Sequence, residues 1–158
     1  MVDAEVGSKI NALKQEYEEL GTEIRETLGR LTPEDLKKKS GNPAWRVGQV
    51  AGHISKSPGG VVRFTKNVRD GKPLNYPTFV VDVYNWFGSR GSGRMKVEDF
   101  VPKYDEGHAK LAADIEASAD DDWTRKTKVM GQELDMEGWF RLNMAHERDH
   151  LAELKAGL

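Results

Sequence analysis

The chain of 158 residues contains no cysteine. This absence excludes a disulfide framework and a thiolate metal site, so a metal could be held only by nitrogen and oxygen ligands. Any thiol that takes part in the chemistry must therefore arrive as a cosubstrate. The sequence also lacks a run approaching the ~18 apolar residues of a membrane span, and its N-terminus lacks the basic and apolar regions of a signal peptide. We expect no membrane interaction and a cytoplasmic location.

A strong net charge is missing as well. The 24 basic and 26 acidic residues leave a formal net charge of -2, which argues against a field that would attract nucleic acid or an anionic membrane. Partners are expected to be small-molecule substrates or another protein chain, with a homodimer as one such assembly. The length is that of one ordinary domain, so residues 1–158 are predicted to form a single domain.

Apolar residues recur at intervals of three and four along much of the chain, which is the spacing of one face of a helix. They predict four long helices, and a short extended piece or hairpin is expected at 127–134. The predicted helices cover 7–28, 44–69, 97–117 and 135–155. Residues 78–90 fit a strand or a helix, and we favour a helix. This pattern predicts an all-α four-helix bundle, a fold class that builds metal sites from side chains on facing helices.

Two glycine-rich stretches bear on the helix boundaries. Ser57-Pro58-Gly59-Gly60 is expected to kink or interrupt the second helix, because proline removes a backbone donor and clashes with the preceding turn. The stretch from Gly88 to Gly93 is interpreted as a flexible linker. It fits neither the G-x-G-x-x-G nor the Walker pattern of phosphate-binding loops, and no clear strand precedes it.

Two of the four histidines stand one helical turn apart in His146-Glu147-Arg148-Asp149-His150. Positions i and i+4 lie on one face of a helix, so both imidazoles can reach one cation. The same residues match the H-E-x-x-H signature of zinc metalloproteases, in which the glutamate is the general base. Those proteases take a further ligand from downstream, whereas here Glu153 lies too close along the helix to fold back. If a metal is bound, its other protein ligand must come from upstream.

The surroundings of the histidine pair favour an inward direction. Trp139, Leu142 and Asn143 lie within about 60° of the pair on the last helix, so this face is expected to be mostly core. The alternative is that one histidine is a hydrogen-bonded core residue and the other lies at the solvent edge. Glu147 and Asp149 lie about 80° to either side and are interpreted as solvated charges, with bracing of a neighbouring group as the alternative.

The other two histidines, His53 and His108, lie on two other predicted helices. His53 shares its face of the second helix with Val50 and Phe64, which predicts an inward direction, and it fits a satisfied core histidine as well as a ligand. His108 follows Tyr104 by four residues and is explained by packing, so it is left out of the site.

The run from Asn42 to His53, Asn-Pro-Ala-Trp-Arg-Val-Gly-Gln-Val-Ala-Gly-His, is followed near the C-terminus by Met144-Ala-His-x-x-x-His150. This combination resembles the DinB-like superfamily of four-helix bundles, which includes the YfiT-like proteins and the N-terminal domains of mycothiol-dependent maleylpyruvate isomerases. The resemblance spans nearly the whole chain. It implies that His53, His146 and His150 are three metal ligands, and that Asp82 and Asn85 line or brace the pocket that holds the cofactor.

Three histidine ligands leave a coordination position open, which is typical of catalytic rather than structural metal sites. Imidazole suits several divalent metals, and we expect zinc or nickel. The family resemblance implies activation of a low-molecular-weight thiol for transfer to, or isomerisation of, a small electrophile. Metal-dependent hydrolysis and a non-catalytic binding bundle are the alternatives. Because the isomerases join this domain to a second one, we also expect a partner subunit or a different substrate.

Overall fold

Four long helices form most of the part of the chain that the structure describes, residues 4–75 and 90–158 of a computed structural model. The helices are α1 (Ala4–Gly29), α2 (Val47–Arg69), α3 (Val97–Glu116), the short α4 (Asp120–Thr124) and α5 (Met136–Ala156), with a 3-10 turn at Asp35–Lys37 and strands β1 (Thr127–Val129) and β2 (Gln132–Leu134). The predicted all-α four-helix bundle is confirmed. Among the described residues, no helix is both long and apolar enough to cross a membrane.

The core lies between the four long helices. Helix α2 packs against α3 and α5, and α1 packs against the same two helices on the other side. Each helix presents its apolar positions inward, as the three- and four-residue spacing predicts. Fully buried examples from the four helices are Leu13, Ile24, Val50, Ile54, Phe100, Leu111, Met144 and Leu154.

The predicted extended piece is a two-stranded antiparallel hairpin, in which Thr127 pairs with Leu134. Its two-residue turn, Met130-Gly131, has positive φ at both positions, the geometry that suits the twist of a tight hairpin. Helix α5 then begins at Met136 because the Asp135 side chain accepts a hydrogen bond from the backbone N–H of Gly138 at 2.8 Å, an N-cap contact.

Of the kink or interruption expected at Ser57–Gly60, the interruption is wrong, because α2 continues through Pro58 to Arg69. The small residues serve a helix crossing instead. A Cβ added to Gly107 of α3 would lie 2.5 Å from the backbone nitrogen of Gly59 and 3.0 Å from Pro58. The backbones of α2 and α3 therefore approach more closely than larger side chains would allow.

The interpretation of Gly88–Gly93 as a flexible linker is also wrong for the residues described. Residues 90–92 are helical, and Ser92 is 1% exposed. Its backbone packs on α2 so closely that a Cβ on Gly52 would lie 2.6 Å from the Ser92 carbonyl oxygen. The helix favoured for 78–90 otherwise lies outside the described residues.

Candidate metal centre

The loop before α2 is docked onto the C-terminal end of α5. The Gly41 backbone N–H donates to the Glu153 carbonyl at 2.8 Å, and the Asn42 side-chain amide donates to the Glu153 carboxylate at 3.2 Å. The Ser40 hydroxyl donates to the Trp45 carbonyl at 2.7 Å and so closes the loop on itself. These bonds hold Trp45 and the first turns of α2 against α5.

Docking of this loop brings three histidines together. His53 comes from α2, and His146 and His150 come from successive turns of α5. The Nε2 atoms of His53 and His146 are 3.1 Å apart, and one ring nitrogen from each of the three histidines lies within 4.8 Å of the others. Two imidazole nitrogens bound at the usual distance to a tetrahedral zinc are about 3.3 Å apart. The donor set and its spacing therefore fit a divalent metal that accepts nitrogen ligands.

Glu153 fixes the orientation of one of these rings. Its carboxylate accepts a hydrogen bond from Nδ1 of His150 at 2.7 Å. The proton of the neutral ring then sits on Nδ1, which leaves the Nε2 lone pair free to bind a cation. Metal-ligating histidines are commonly held in this way by a carboxylate behind the ring.

Trp45 forms one wall of the cluster. Its ring is stacked on His150 with centroids 5.5 Å apart and planes 17° apart, and it is tilted against His53 at 5.0 Å. The indole therefore restricts the rotation of two of the three imidazoles and covers them with an apolar surface.

Two of the histidines are held in their neutral form. Burial, with the nearby His150 and His146, lowers the pKa of His53 to about 3. Partial burial and the neighbouring His150 also lower the pKa of His146, although the residue as a whole is exposed. Neutral imidazole is the form that binds a metal, so protons compete weakly for His53 and His146 at neutral pH.

The expected inward direction of the histidine face is only partly correct. Trp139 is buried, but His146 is exposed and Leu142 is 42% exposed. The face lies at the boundary between core and solvent, because α5 packs on the docked loop through its C-terminal half. His146 consequently leaves the cluster open on its solvent side.

The interpretation of Glu147 as a solvated charge is wrong. Its side chain is 1% exposed, and the Tyr104 hydroxyl donates to its carboxylate at 3.1 Å. Burial raises the pKa of Glu147 to about 7, against the opposing effect of the Tyr104 hydrogen bond. A carboxylate turned into the core beside Tyr104 cannot act as the general base of an H-E-x-x-H protease. Asp149 is exposed, as expected.

His108 lies outside the cluster, as predicted from its packing. Its ring stacks on Tyr17 with centroids 4.1 Å apart, and Nε2 is 2.9 Å from the Glu18 carboxylate. Asp82 and Asn85 lie outside the described residues, so their place in the pocket stays a prediction. The assignment of His53, His146 and His150 as ligands also stays a prediction, although the structure places the three side by side.

Sequence reasoning considered Glu153 only as a metal ligand and missed its contact behind the His150 ring. The signal was present, because residues three apart share a helix face. Asn42 and Gly41 carried no such signal, since their bonds to Glu153 join positions 111 and 112 residues apart.

The model of the DinB superfamily matches residues 16–154. Two solved structures have a similar fold, the mycothiol-dependent maleylpyruvate isomerase and a histidine-to-alanine mutant of it. Each aligns with a TM-score of 0.75 at 9% sequence identity, over 93% of this chain and 61% of the isomerase chain. The chain thus spans less than two thirds of the isomerase, and at this identity the likeness shows the fold alone. No curated protein sequence matches the chain.

Proposed function

The chain belongs to the DinB superfamily, and we propose that it is a metal-dependent enzyme whose single divalent ion, zinc or nickel, is held by His53, His146 and His150. The observation that carries this proposal is the convergence of three ring nitrogens within 4.8 Å. The hydrogen bond from His150 to Glu153 supports it, because it directs the other nitrogen of that ring toward the cluster.

The open side of the cluster fits a catalytic rather than a structural role. A divalent metal bound there by three neutral imidazoles would lower the pKa of an incoming thiol or water and polarise a carbonyl. The protein's own residues would supply the surroundings of that chemistry. Trp45 covers His53 and His150, and Glu153 orients His150. His146 is exposed, so a small molecule would approach the metal from the side of His146.

We propose thiol-dependent transfer or isomerisation of a small electrophile as the reaction class. The chain has no cysteine, so the thiol would come from a low-molecular-weight cosubstrate and its proton would pass to solvent. A solved structure of the same fold is named as a mycothiol-dependent isomerase. That name describes the other protein, and it supports a thiol reaction here because a three-histidine site suits the same chemistry.

Metal-dependent hydrolysis is the second candidate, and the exposure of His146 favours it because water can reach the cluster. The burial of Glu147 weighs against it, since a hydrolase of the H-E-x-x-H type needs that carboxylate beside the metal.

The test compares turnover with and without thiol. Metal-loaded protein is incubated with chlorodinitrobenzene, or with maleylpyruvate for isomerisation, in the presence of mycothiol, bacillithiol, glutathione or no thiol. We expect metal-dependent turnover only when a thiol is present, and none in His150→Ala. With chlorodinitrobenzene a thioether forms and chloride leaves. Equal turnover without thiol would support hydrolysis, and no turnover under any condition would support a non-catalytic binding bundle.

A further inference from the structure

A pocket lies beside the N-terminal turn of α2, and none of the three histidines lines it. It has a volume of about 380 Å³, within the usual range for small-molecule pockets. Leu36, Gly48 and Gly93 line it together with four residues that have polar side chains. These are Arg46, Gln49, Arg90 and Arg94. We refer to this site as the arginine pocket.

Among the residues that the structure describes, the charged side chains that line the arginine pocket are all arginines. These are Arg46, Arg90 and Arg94, and no carboxylate joins them in the described lining. The chain as a whole carries a formal net charge of -2, so this concentration of arginine does not follow from a basic composition. Within the ranges 4–75 and 90–158, neither Arg46 nor Arg94 forms an ion pair. The like charges of Arg46 and Arg94 repel each other, and a bound anion would offset that repulsion.

One of the guanidinium groups is already held in place. Nη1 of Arg46 donates to the Lys37 carbonyl at 2.6 Å, which restricts the side chain and leaves its remaining N–H groups available. The Gln49 side-chain oxygen accepts the backbone N–H of Arg46 at 2.9 Å. The amide NH₂ of Gln49 is thus the end that remains to donate. Both residues therefore present hydrogen-bond donors rather than acceptors.

The arginine pocket adjoins the histidine cluster along α2. Gln49 stands four residues before His53, which places the two on one face of the helix about 6 Å apart. Ser92 lies between Arg90 and Arg94 in the sequence, and its backbone packs against Gly52 of α2. Lys56 adds a fourth cation nearby, since its Nζ lies 3.7 Å from the position that a Cβ on Gly91 would occupy.

From these contacts we propose that the arginine pocket binds the oxyanion group, carboxylate or phosphate, of a small molecule. The planar fork of a guanidinium matches two oxygens of such a group at once, and charge-assisted bonds of this kind are stronger than neutral ones. The proposal does not depend on metal binding by the histidines, so either can fail without the other.

The experiment titrates the full, metal-free chain with succinate and separately with inorganic phosphate at constant ionic strength. Two-dimensional NMR follows the backbone amides of Gly48, Gln49 and Gly93. We expect saturable shifts of these signals, and the tighter of the two anions identifies the carboxylate or phosphate class. Arg94→Gln and Arg46→Gln should each weaken binding about tenfold, the effect of losing one charge-assisted hydrogen bond.

The matched control is Arg63→Gln. Arg63 is an exposed arginine of α2 that does not line the arginine pocket. The variant therefore removes one positive charge without changing the lining of the pocket. Its affinity should stay within about twofold of the parent protein, since exposed charges at a distance are largely screened. Equal weakening in Arg63→Gln and Arg94→Gln would show general attraction to positive charge and overturn the proposal. Absence of saturable shifts with both anions would overturn it as well.

Discussion

At the scale of single residues, Glu153 positions the ring of His150 through the hydrogen bond from Nδ1. Glu153→Gln should lower the affinity for zinc by about 10- to 100-fold, because it weakens the hydrogen bond that directs the ring. The measurement is a calorimetric zinc titration of the folded, metal-free protein. Asp149→Asn is the control, since it removes an exposed negative charge of the same helix that also lies near His146. If both variants lost the same affinity, the effect would come from charge alone and Glu153 would have no positioning role.

A second prediction at this scale concerns the buried carboxyl of Glu147. Its pKa is raised from 4.5 to about 7 in the folded protein. The folded protein therefore binds this proton more tightly than the unfolded chain, and the resulting stability is complete below about pH 4.5. That stability is lost as the pH rises through about 7, at a cost of about 3 kcal/mol in the free energy of unfolding. The lowered pKa of His53 changes stability with pH in the opposite direction. This contribution is the same in the parent protein and in Glu147→Gln, so it cancels when the two are compared.

The comparison uses urea unfolding of metal-free protein between about pH 5 and pH 8. The parent should lose about 2–3 kcal/mol more than Glu147→Gln over this range, since the amide does not ionise. Parallel pH profiles for the two proteins would mean that Glu147 does not titrate in this range and that burial does not raise its pKa.

At the scale of the elements, α2 contains glycines with opposite surroundings. A Cβ on Gly60 would meet no atom within 4 Å, whereas a Cβ on Gly52 would lie 2.6 Å from the Ser92 carbonyl oxygen. Gly60→Ala should therefore raise the free energy of unfolding by up to about 1 kcal/mol through helix propensity. Gly52→Ala should lower it by about 1–3 kcal/mol, because the backbone of the 90–92 segment must shift.

Thermal and urea unfolding of both variants check this pair, and each serves as the control for the other. Similar stability in Gly52→Ala and Gly60→Ala would mean that Ser92 does not pack against α2 as described.

The helices themselves were predictable from sequence, and the reason is visible in α2 and α5. Apolar residues spaced by three and four predict a helix whatever it packs against. The N-cap contact of Asp135 then fixes the residue at which α5 begins. The interruption predicted at Pro58 was wrong because the effect of this proline depends on the helix that packs against it. The local pattern predicts a break, but the close approach of Gly107 makes this part of α2 a helix crossing.

At the scale of the whole molecule, the candidate site was predictable only in part. The spacing of His146 and His150 indicates a shared face, and His53 was found through family resemblance rather than through any local pattern. What the sequence could not predict is how the loop at residues 40–46 docks onto α5. That docking depends on Gly41 and Asn42 meeting Glu153 across the chain, a contact that no periodicity encodes. The burial of Glu147 escaped prediction for the same reason, because Tyr104 comes from another helix.

We expect one divalent metal to bind per chain through His53, His146 and His150. The most direct measurement is the melting temperature of untagged, metal-free protein as zinc or nickel is added. At about 1,000 times the dissociation constant, binding should add about 4 kcal/mol of stability, or about 10 °C in melting temperature. The account predicts that His53→Ala abolishes this shift and that His108→Ala retains it from a lower starting temperature. Equal shifts in the parent protein and in His53→Ala would contradict the account.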